Sequence, residues 1–283
     1  MKYTHWMLAA LIGFCVASCS SEDSTGSDER FSILQDDFNR FVYVHVPDGY
    51  DESSDWPLLV VFHGSGDSGL AFQQHSGLDK EADKSGFLVA YPSARGENWA
   101  EGCDCVRADL DGIDDLDFVD DLITKMSEDY QVDESRVFAV GYSQGGLFTQ
   151  RLACERSDVF AGIGTISGMM SKPISESCQP EFAPDILLVH GDSDEVLPIE
   201  GFPSGSYATL SVYETMLFWR EANNCPVGLT RETIRGGDLD RDVRQILGCD
   251  SGSKVRMEEL IDGRHRWPDF LPGFMVEYFN LGR

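Results

Sequence analysis

The segment that most restricts the fold is Gly141-Tyr142-Ser143-Gln144-Gly145-Gly146. It follows an apolar, strand-like run at 137–140 and precedes a helical stretch that contains Leu147 and Leu152. A strand, a sharp turn and a helix in that order form an elbow with one side chain at its apex. Glycines two residues before and two after Ser143 remove β-carbons that would keep the limbs apart, so the serine can sit in a strained turn with its hydroxyl exposed. The helix starting there aims its first N–H groups at the same point, where they can meet developing negative charge. Ser143 is therefore the candidate nucleophile, and the backbone N–H of Gln144 a candidate oxyanion donor.

The rest of the chain repeats that alternation. Runs at 41–46, 57–62, 87–91, 163–166 and 186–189 read as strands, with 41–46 and 57–62 the opening pair. The run at 57–62 is almost wholly apolar, as a central strand buried on both faces must be. Between the strands, Val119, Leu122, Ile123, Met126 and Tyr130 keep helical spacing, as do Leu210, Tyr213, Leu217 and Phe218. A last strand near 255–261 and a short helix near 274–279 close the pattern. These elements predict an α/β fold, a mostly parallel central sheet with helices on both faces. With 42% hydrophobic residues among 283, one large core is affordable in size, and one catalytic domain over 30–283 is expected, without repeats.

Lys2 is the only fully charged side chain in residues 1–18, and the apolar run at 6–16 is too short to span a bilayer. Residues 1–18 read as a signal peptide of lipoprotein type. Val16-Ala17-Ser18-Cys19 resembles a bacterial lipobox, which makes Cys19 the expected lipidation site and residues 19–29 an acidic flexible tether. Lipid on Cys19 is then the one expected link to a membrane, at an outer membrane or cell surface; without it the protein is secreted. Losing Lys2 leaves 21 cationic against 49 acidic side chains, so the net charge goes from -27 to -28. Such a surface repels nucleic acid and anionic lipid head groups. A monomer is expected.

Six cysteines remain once Cys15 and Cys19 are set aside, and an even number in an exported chain favours disulfides. No CxxC pair or Cys/His cluster has zinc spacing, so neither metal nor other cofactor is expected. The acidic run Asp109-Leu110-Asp111-Gly112-Ile113-Asp114-Asp115 lacks the EF-hand order of ligands, and Asp114 and Asp115 are expected to cap the helix that follows.

A serine hydroxyl needs a base held by a third group. His190-Gly191-Asp192-Ser193-Asp194 follows the strand at 186–189 and offers two acids at the carboxyl end of that strand, Asp192 and Asp194. The residues alone leave their roles open. Of the histidines, only His265 comes after both Ser143 and the acid; His63 and His190 end apolar strands and read as buried, hydrogen-bonded structural groups. His63-Gly64-Ser65-Gly66 ends the central strand at 57–62, where the N–H of Ser65 is the second candidate oxyanion donor, with Gly64 shaping the turn. His63, Gly64, Trp99, Tyr142 and Trp267 are the candidates for lining a substrate cleft.

Together these residues resemble the poly(3-hydroxybutyrate) depolymerase and feruloyl esterase group of secreted α/β-hydrolases, over about 41–279. The marks are His63-Gly64, Ser76-Gly77-Leu78-Asp79 with Ala82-Asp83, Gly86-Phe87, Tyr91-Pro92, the elbow, Leu152-Ala153-Cys154-Glu155, His190-Gly191 with Asp194 and Pro198, and His265 with Trp267-Pro268. The resemblance implies the α/β-hydrolase fold and a triad of Ser143, Asp194 and His265 in that chain order, with the acid at Asp194 in preference to Asp192. It also implies cofactor-free ester hydrolysis through an acyl-enzyme. Two stretches near the cleft depart from the group's glycine-rich pattern, Gly263-Arg264 before His265 and Pro198-Ile199-Glu200-Gly201-Phe202, so substrate preference is not carried over.

The expected substrates are soluble small or oligomeric esters: feruloyl and other aryl esters, acetyl esters, or hydroxybutyrate oligomers. No separate surface-binding module for solid polyester is visible in the sequence. A peptidase on the same scaffold and a non-catalytic, ligand-binding surface lipoprotein are the alternatives. On this fold Cys154 and Cys178 fall at the end of the sheet opposite the nucleophile and are expected to pair, as are Cys225 and Cys249. Cys103 and Cys105 lie at the active-site face, out of reach of that end, and are left with a bond to each other or free thiols.

Overall fold

In a computed structural model that describes residues 26–282, ten strands form one sheet. In chain order they are β1 (Ser27–Gln35), β2 (Phe38–Val46), β3 (Trp56–Phe62), β4 (Leu88–Pro92), β5 (Val132–Tyr142), β6 (Gly162–Ile166), β7 (Asp185–Gly191), β8 (Thr230–Ile234), β9 (Arg241–Ile246) and β10 (Val255–Leu260). The helices are α1 (Gly69–Ser76), α2 (Leu78–Ser85), α3 (Arg107–Leu110), α4 (Asp115–Asp129), α5 (Gln144–Glu155), α6 (Lys172–Ser177), α7 (Val212–Ala222) and α8 (Leu271–Phe279). The sheet order is β1-β2-β4-β3-β5-β6-β7-β10-β9-β8. From β4 to β10 every neighbouring pair is parallel, and the hairpins β1-β2 and β8-β9 extend the two edges antiparallel.

The apolar run of β3 shows why both faces are covered. Alternate side chains point to opposite faces of a sheet. Leu58, Val60 and Phe62 join a core with α4, α5 and α7, whereas Leu59 and Val61 join a second core with α1, α2 and α8. The mostly parallel sheet with helices on both faces is thus the observed architecture. Cys154 bonds Cys178 and Cys225 bonds Cys249 as expected, and Cys103 is joined to Cys105. Asp114 caps α4 by accepting from the Asp117 N–H at 3.0 Å. Asp115 does something else: it is fully buried and pairs with buried Arg40 at 2.6 Å.

Two features differ from the sequence expectations, and one group of expectations falls outside the described residues. The proposed signal peptide, the lipobox with Cys19 and the tether as far as residue 25 lie outside the described residues. Ser27, Asp28 and Glu29, expected in the tether, belong to β1, so 41–46 is not the opening strand and ordered structure begins ahead of residue 30. The buried face of α7 is Val212, Thr215, Met216 and Trp219, and Tyr213 is exposed. Aromatic residues occur on both sides of that helix, and its start is set by a capping box between Ser211 and Glu214.

What draws β1 into the domain is visible at His45 on β2. Its Nδ1 lies 2.9 Å from Asp28 Oδ1 on β1, and its Nε2 2.8 Å from Asp83 Oδ1 on α2. Burial disfavours the imidazolium, but these hydrogen bonds and the charges of Asp79 and Asp83 outweigh it and raise the His45 pKa above its ordinary value. The clasp therefore contributes stability that is complete below the unfolded histidine value of about 6.5 and is lost as pH rises through the raised folded value. We expect urea unfolding to show a stability loss as pH rises from the unfolded histidine value of about 6.5 through the raised folded value, and His45→Gln to lessen it. An equal loss in the variant would remove this role from His45.

Candidate active site

Ser143 stands between β5 and α5 with φ 56° and ψ -122°, a left-handed backbone that costs a non-glycine residue about 1–3 kcal/mol. The surrounding glycines show how the strain is held. A β-carbon on Gly141 would lie 2.1 Å from the Gly145 carbonyl oxygen, and one on Gly145 would lie 2.3 Å from that of Phe62. The elbow thus closes on itself and on the end of β3. The Ser143 N–H donates to Ile166 O at 2.8 Å, tying the apex to β6.

A second backbone contact assembles the other half. A β-carbon on Gly191, at the end of β7, would meet Gly263 O at 2.1 Å, and the Ser193 N–H donates to that same carbonyl at 2.9 Å. The loops after β7 and β10 are thereby pressed together, Asp194 on one and His265 on the other. The result is a continuous chain of hydrogen bonds: His265 Nε2 lies 2.9 Å from Ser143 Oγ, and His265 Nδ1 lies 2.8 Å from Asp194 Oδ2. A neutral ring with its proton on Nδ1 donates to Asp194 and accepts from the serine hydroxyl.

Asp194 is 5% exposed, and its Oδ1 accepts from the N–H groups of Val196 and Leu197, both at 2.9 Å. Burial alone would raise its pKa; the hydrogen bonds from His265 and the Leu197 N–H, with the charges of His265 and His190, outweigh it and hold the carboxyl below its ordinary value. Asp192 is exposed and reaches only the Ser193 hydroxyl, so the geometry separates the two acids that the residues left open. His190 is fully buried with Nε2 donating to Leu197 O at 2.7 Å, which braces the Asp194 loop, and burial lowers its pKa. His63 is equally buried, with Nδ1 donating to Gly64 O at 2.7 Å and Nε2 accepting from the Ala94 N–H at 3.1 Å.

Ser65 follows β3 and is exposed beside the elbow; its hydroxyl accepts from Asn98 Nδ2 at 2.9 Å. Ser65, Asn98, Val106, Ser143, Gln144, Val196, Leu197, Phe202 and Tyr207 line a cleft of about 330 Å³. Of the cleft candidates from sequence, Tyr142 packs its ring 5.2 Å from that of His265, and Gly64 sits where a β-carbon would be 3.2 Å from Ser143 Cβ. The others are elsewhere. Trp99 is fully buried, stacked on Phe148, with its indole N–H donating to His63 O. Trp267 donates to Ser76 O and lies edge-on to Phe72, and His63 faces the interior. The apolar lining was missed, although Val196 and Leu197 directly follow Asp194 and Phe202 closes the divergent stretch at 198–202.

A nucleophile elbow after a central parallel strand, with an acid and a histidine on the loops after later strands, defines an α/β-hydrolase. Solved structures of esterases share the fold. The acetyl xylan esterase from Aspergillus awamori superposes with a TM-score of 0.67 over 90% of this chain and 100% of that one, at 18% identity. An S-formylglutathione hydrolase from Agrobacterium tumefaciens superposes with a TM-score of 0.61 over 91% and 96%, at 13% identity. Within that class, residues 42–201, more than half of the chain, match the family described as Esterase PHB depolymerase, and the chain belongs to that family. The putative esterase NocK of Nocardia uniformis is 29% identical over 226 residues, 75% of this chain and 65% of that protein. A probable feruloyl esterase C of Aspergillus terreus is 30% identical over 165 residues, 56% of each. The chain therefore matches less than two thirds of the length of either curated relative.

The contact at Gly145 yields a stability prediction. Gly145→Ala must push the elbow away from β3, and overpacking of that kind costs about 1–3 kcal/mol or more. Gly228→Ala serves as the control, because nothing lies within 4 Å of a β-carbon there and its φ is not positive. Urea midpoints that fall no further for Gly145→Ala than for Gly228→Ala would contradict the close approach.

Proposed function

We propose that this chain is a serine carboxylic ester hydrolase working through an acyl-enzyme. The observation that carries the reading is the hydrogen-bonded line from Ser143 Oγ through His265 to Asp194. His265 takes the serine proton as Oγ attacks the ester carbonyl and returns it to the leaving alcohol; water then repeats the sequence and frees the acid. Asp194 orients the ring and stabilises its cationic form. The Gln144 N–H, at the first position of α5, and the Ser65 N–H are the proposed oxyanion donors; helical geometry leaves the first without an intrahelical partner.

The cleft beside Ser143 supports an aromatic or otherwise apolar group on the ester, since Val106, Val196, Leu197, Phe202 and Tyr207 face it. Relatives named for feruloyl and acetylxylan esters favour the same chemistry. Neutral soluble esters, aryl or acetyl, are the proposed substrates, with hydroxybutyrate oligomers next, because a mature net charge of -28, once Lys2 is lost with residues 1–18, disfavours anionic ones at low salt. A panel of these esters offered to the full chain should find the aryl methyl esters turned over best. Ser143→Ala, His265→Ala and Asp194→Asn should each lower kcat/KM by about 10³-fold or more, and double variants should add little. Asp192→Asn should stay within a few-fold of wild type. Activity surviving in Ser143→Ala would overturn the reading.

For location, we propose export with lipid on Cys19, supported by the lipobox-like Val16-Ala17-Ser18-Cys19. Among the described residues no helix is long and apolar enough to cross a membrane. Cys19→Ser should release the protein from the membrane fraction and lower its mass by the lipid while leaving ester hydrolysis intact. Unchanged mass and fractionation would favour plain secretion.

A further inference from the structure

The side chain of Gln144 does not face the cleft opening alone; it is held from behind by the loop at 93–106. Gln144 Oε1 accepts from the Trp99 N–H at 2.9 Å, and Nε2 donates to Trp99 O at 2.6 Å and to Glu101 Oε2 at 3.0 Å. Glu101 itself is fully buried, and its Oε1 has no hydrogen-bond partner among the described residues. A buried carboxylate with one donor is costly; protonation removes the charge, although it leaves the Oε1 hydroxyl without an acceptor among the described residues.

We propose that Glu101 is a positioning residue for the oxyanion hole, a buried carboxyl group that fixes Gln144 in place and opposes ester hydrolysis when it ionises. The inference rests on the assignment of the Gln144 N–H as an oxyanion donor. Tetrahedral collapse of the ester places negative charge at that N–H, and a carboxylate buried behind the same residue acts against it through a medium that screens poorly.

The groups around Glu101 offer no compensation. The sulfurs of Cys103 and Cys105 lie with its carboxyl inside a 4.8 Å cluster and, being bonded to each other, carry no charge. Asp109 on α3 adds negative charge, and Tyr207, from the loop before α7, has its own pKa raised by burial and by Glu101. Asp115 on α4 is occupied by the Ala100 N–H and Arg40. Arg151 on α5 donates to Ala100 O and pairs with Glu155. Burial pushes Glu101 up to about 8, the Gln144 hydrogen bond pulls it down, and Asp109 adds to the rise. With the folded pKa above the unfolded one, stability is greatest below the unfolded value and falls as pH rises toward about 8, where the carboxyl ionises.

The test is the pH profile of kcat/KM for a neutral aryl methyl ester, followed by chromatography, in the full chain and in Glu101→Gln and Glu101→Ala. The wild type should lose activity along a one-proton limb centred near about 8. Glu101→Gln keeps an uncharged group of the same shape and should match the wild type within about threefold below that limb, with the limb itself gone. Glu101→Ala releases the Gln144 side chain and should lower kcat by about tenfold or more at every pH, with KM changed less. A wild-type limb retained in Glu101→Gln, or full kcat in Glu101→Ala, would overturn the proposal. Should Glu101→Gln fail to fold, the infrared band of a protonated carboxyl in the wild type decides: its loss in step with kcat/KM supports the role, and its loss well before activity falls refutes it. None of these results touches the serine hydrolase reading, which stands or falls with Ser143→Ala.

Discussion

The site depends on one steric condition, the approach of the Gly145 backbone to the carbonyls of Phe62 and His63. Only because no β-carbon intervenes can α5 start against the end of β3, which brings the first N–H of that helix beside the loop that carries Ser65. The same closeness leaves Ser143 at the apex with its backbone in a left-handed conformation. Gly191 against Gly263 repeats the device two strands over, and there it sets Asp194 and His265 within one hydrogen bond of each other. Both contacts are backbone to backbone, so the geometry does not hang on flexible side chains.

How much of this is legible in a single sequence follows from what each residue type signals. The elbow and the central strands are legible because glycine spacing and unbroken apolar runs have few other uses. Asp192 and Asp194 are both acids on one loop, and what separates them is the orientation of the Val196 and Leu197 N–H groups, which no residue type encodes. Trp99 illustrates the reverse error. An indole serves equally to line a cleft or fill a core, and here its stacking on Phe148 puts it in the core. The strands β1, β8 and β9 are hidden because they lie at or next to the sheet edges and carry charged residues, as in Thr230-Arg231-Glu232-Thr233 on the edge strand β8, and lack the apolar run that marks a central one.

The loop at 93–106 is bonded as tightly as a core element although it has almost no regular structure. Asn98 reaches Ser65, Trp99 brackets Gln144, Asp115 accepts from the Ala100 N–H, and Asp109 accepts from the N–H groups of Gly102 and Cys103. The anchors lie on the loop after β3 and on α3, α4 and α5, so the loop acts as a splint between them. Buried polar networks of this kind are stabilising only when their members are paired, which is why the unpaired oxygen of Glu101 stands out.

The order of the cysteines has a consequence for how the oxidised chain is made. Among the six in the described domain, the first bonds the second, the third the fourth, and the fifth the sixth. An oxidant that meets the chain from its amino terminus onward, joining each thiol to the next to appear, arrives at the native set without reshuffling. Thiol–disulfide rearrangement is slow beside chain collapse. Consecutive pairing therefore lets covalent closure keep pace with vectorial emergence, while the parallel strands that must cross the sheet are still finding their neighbours.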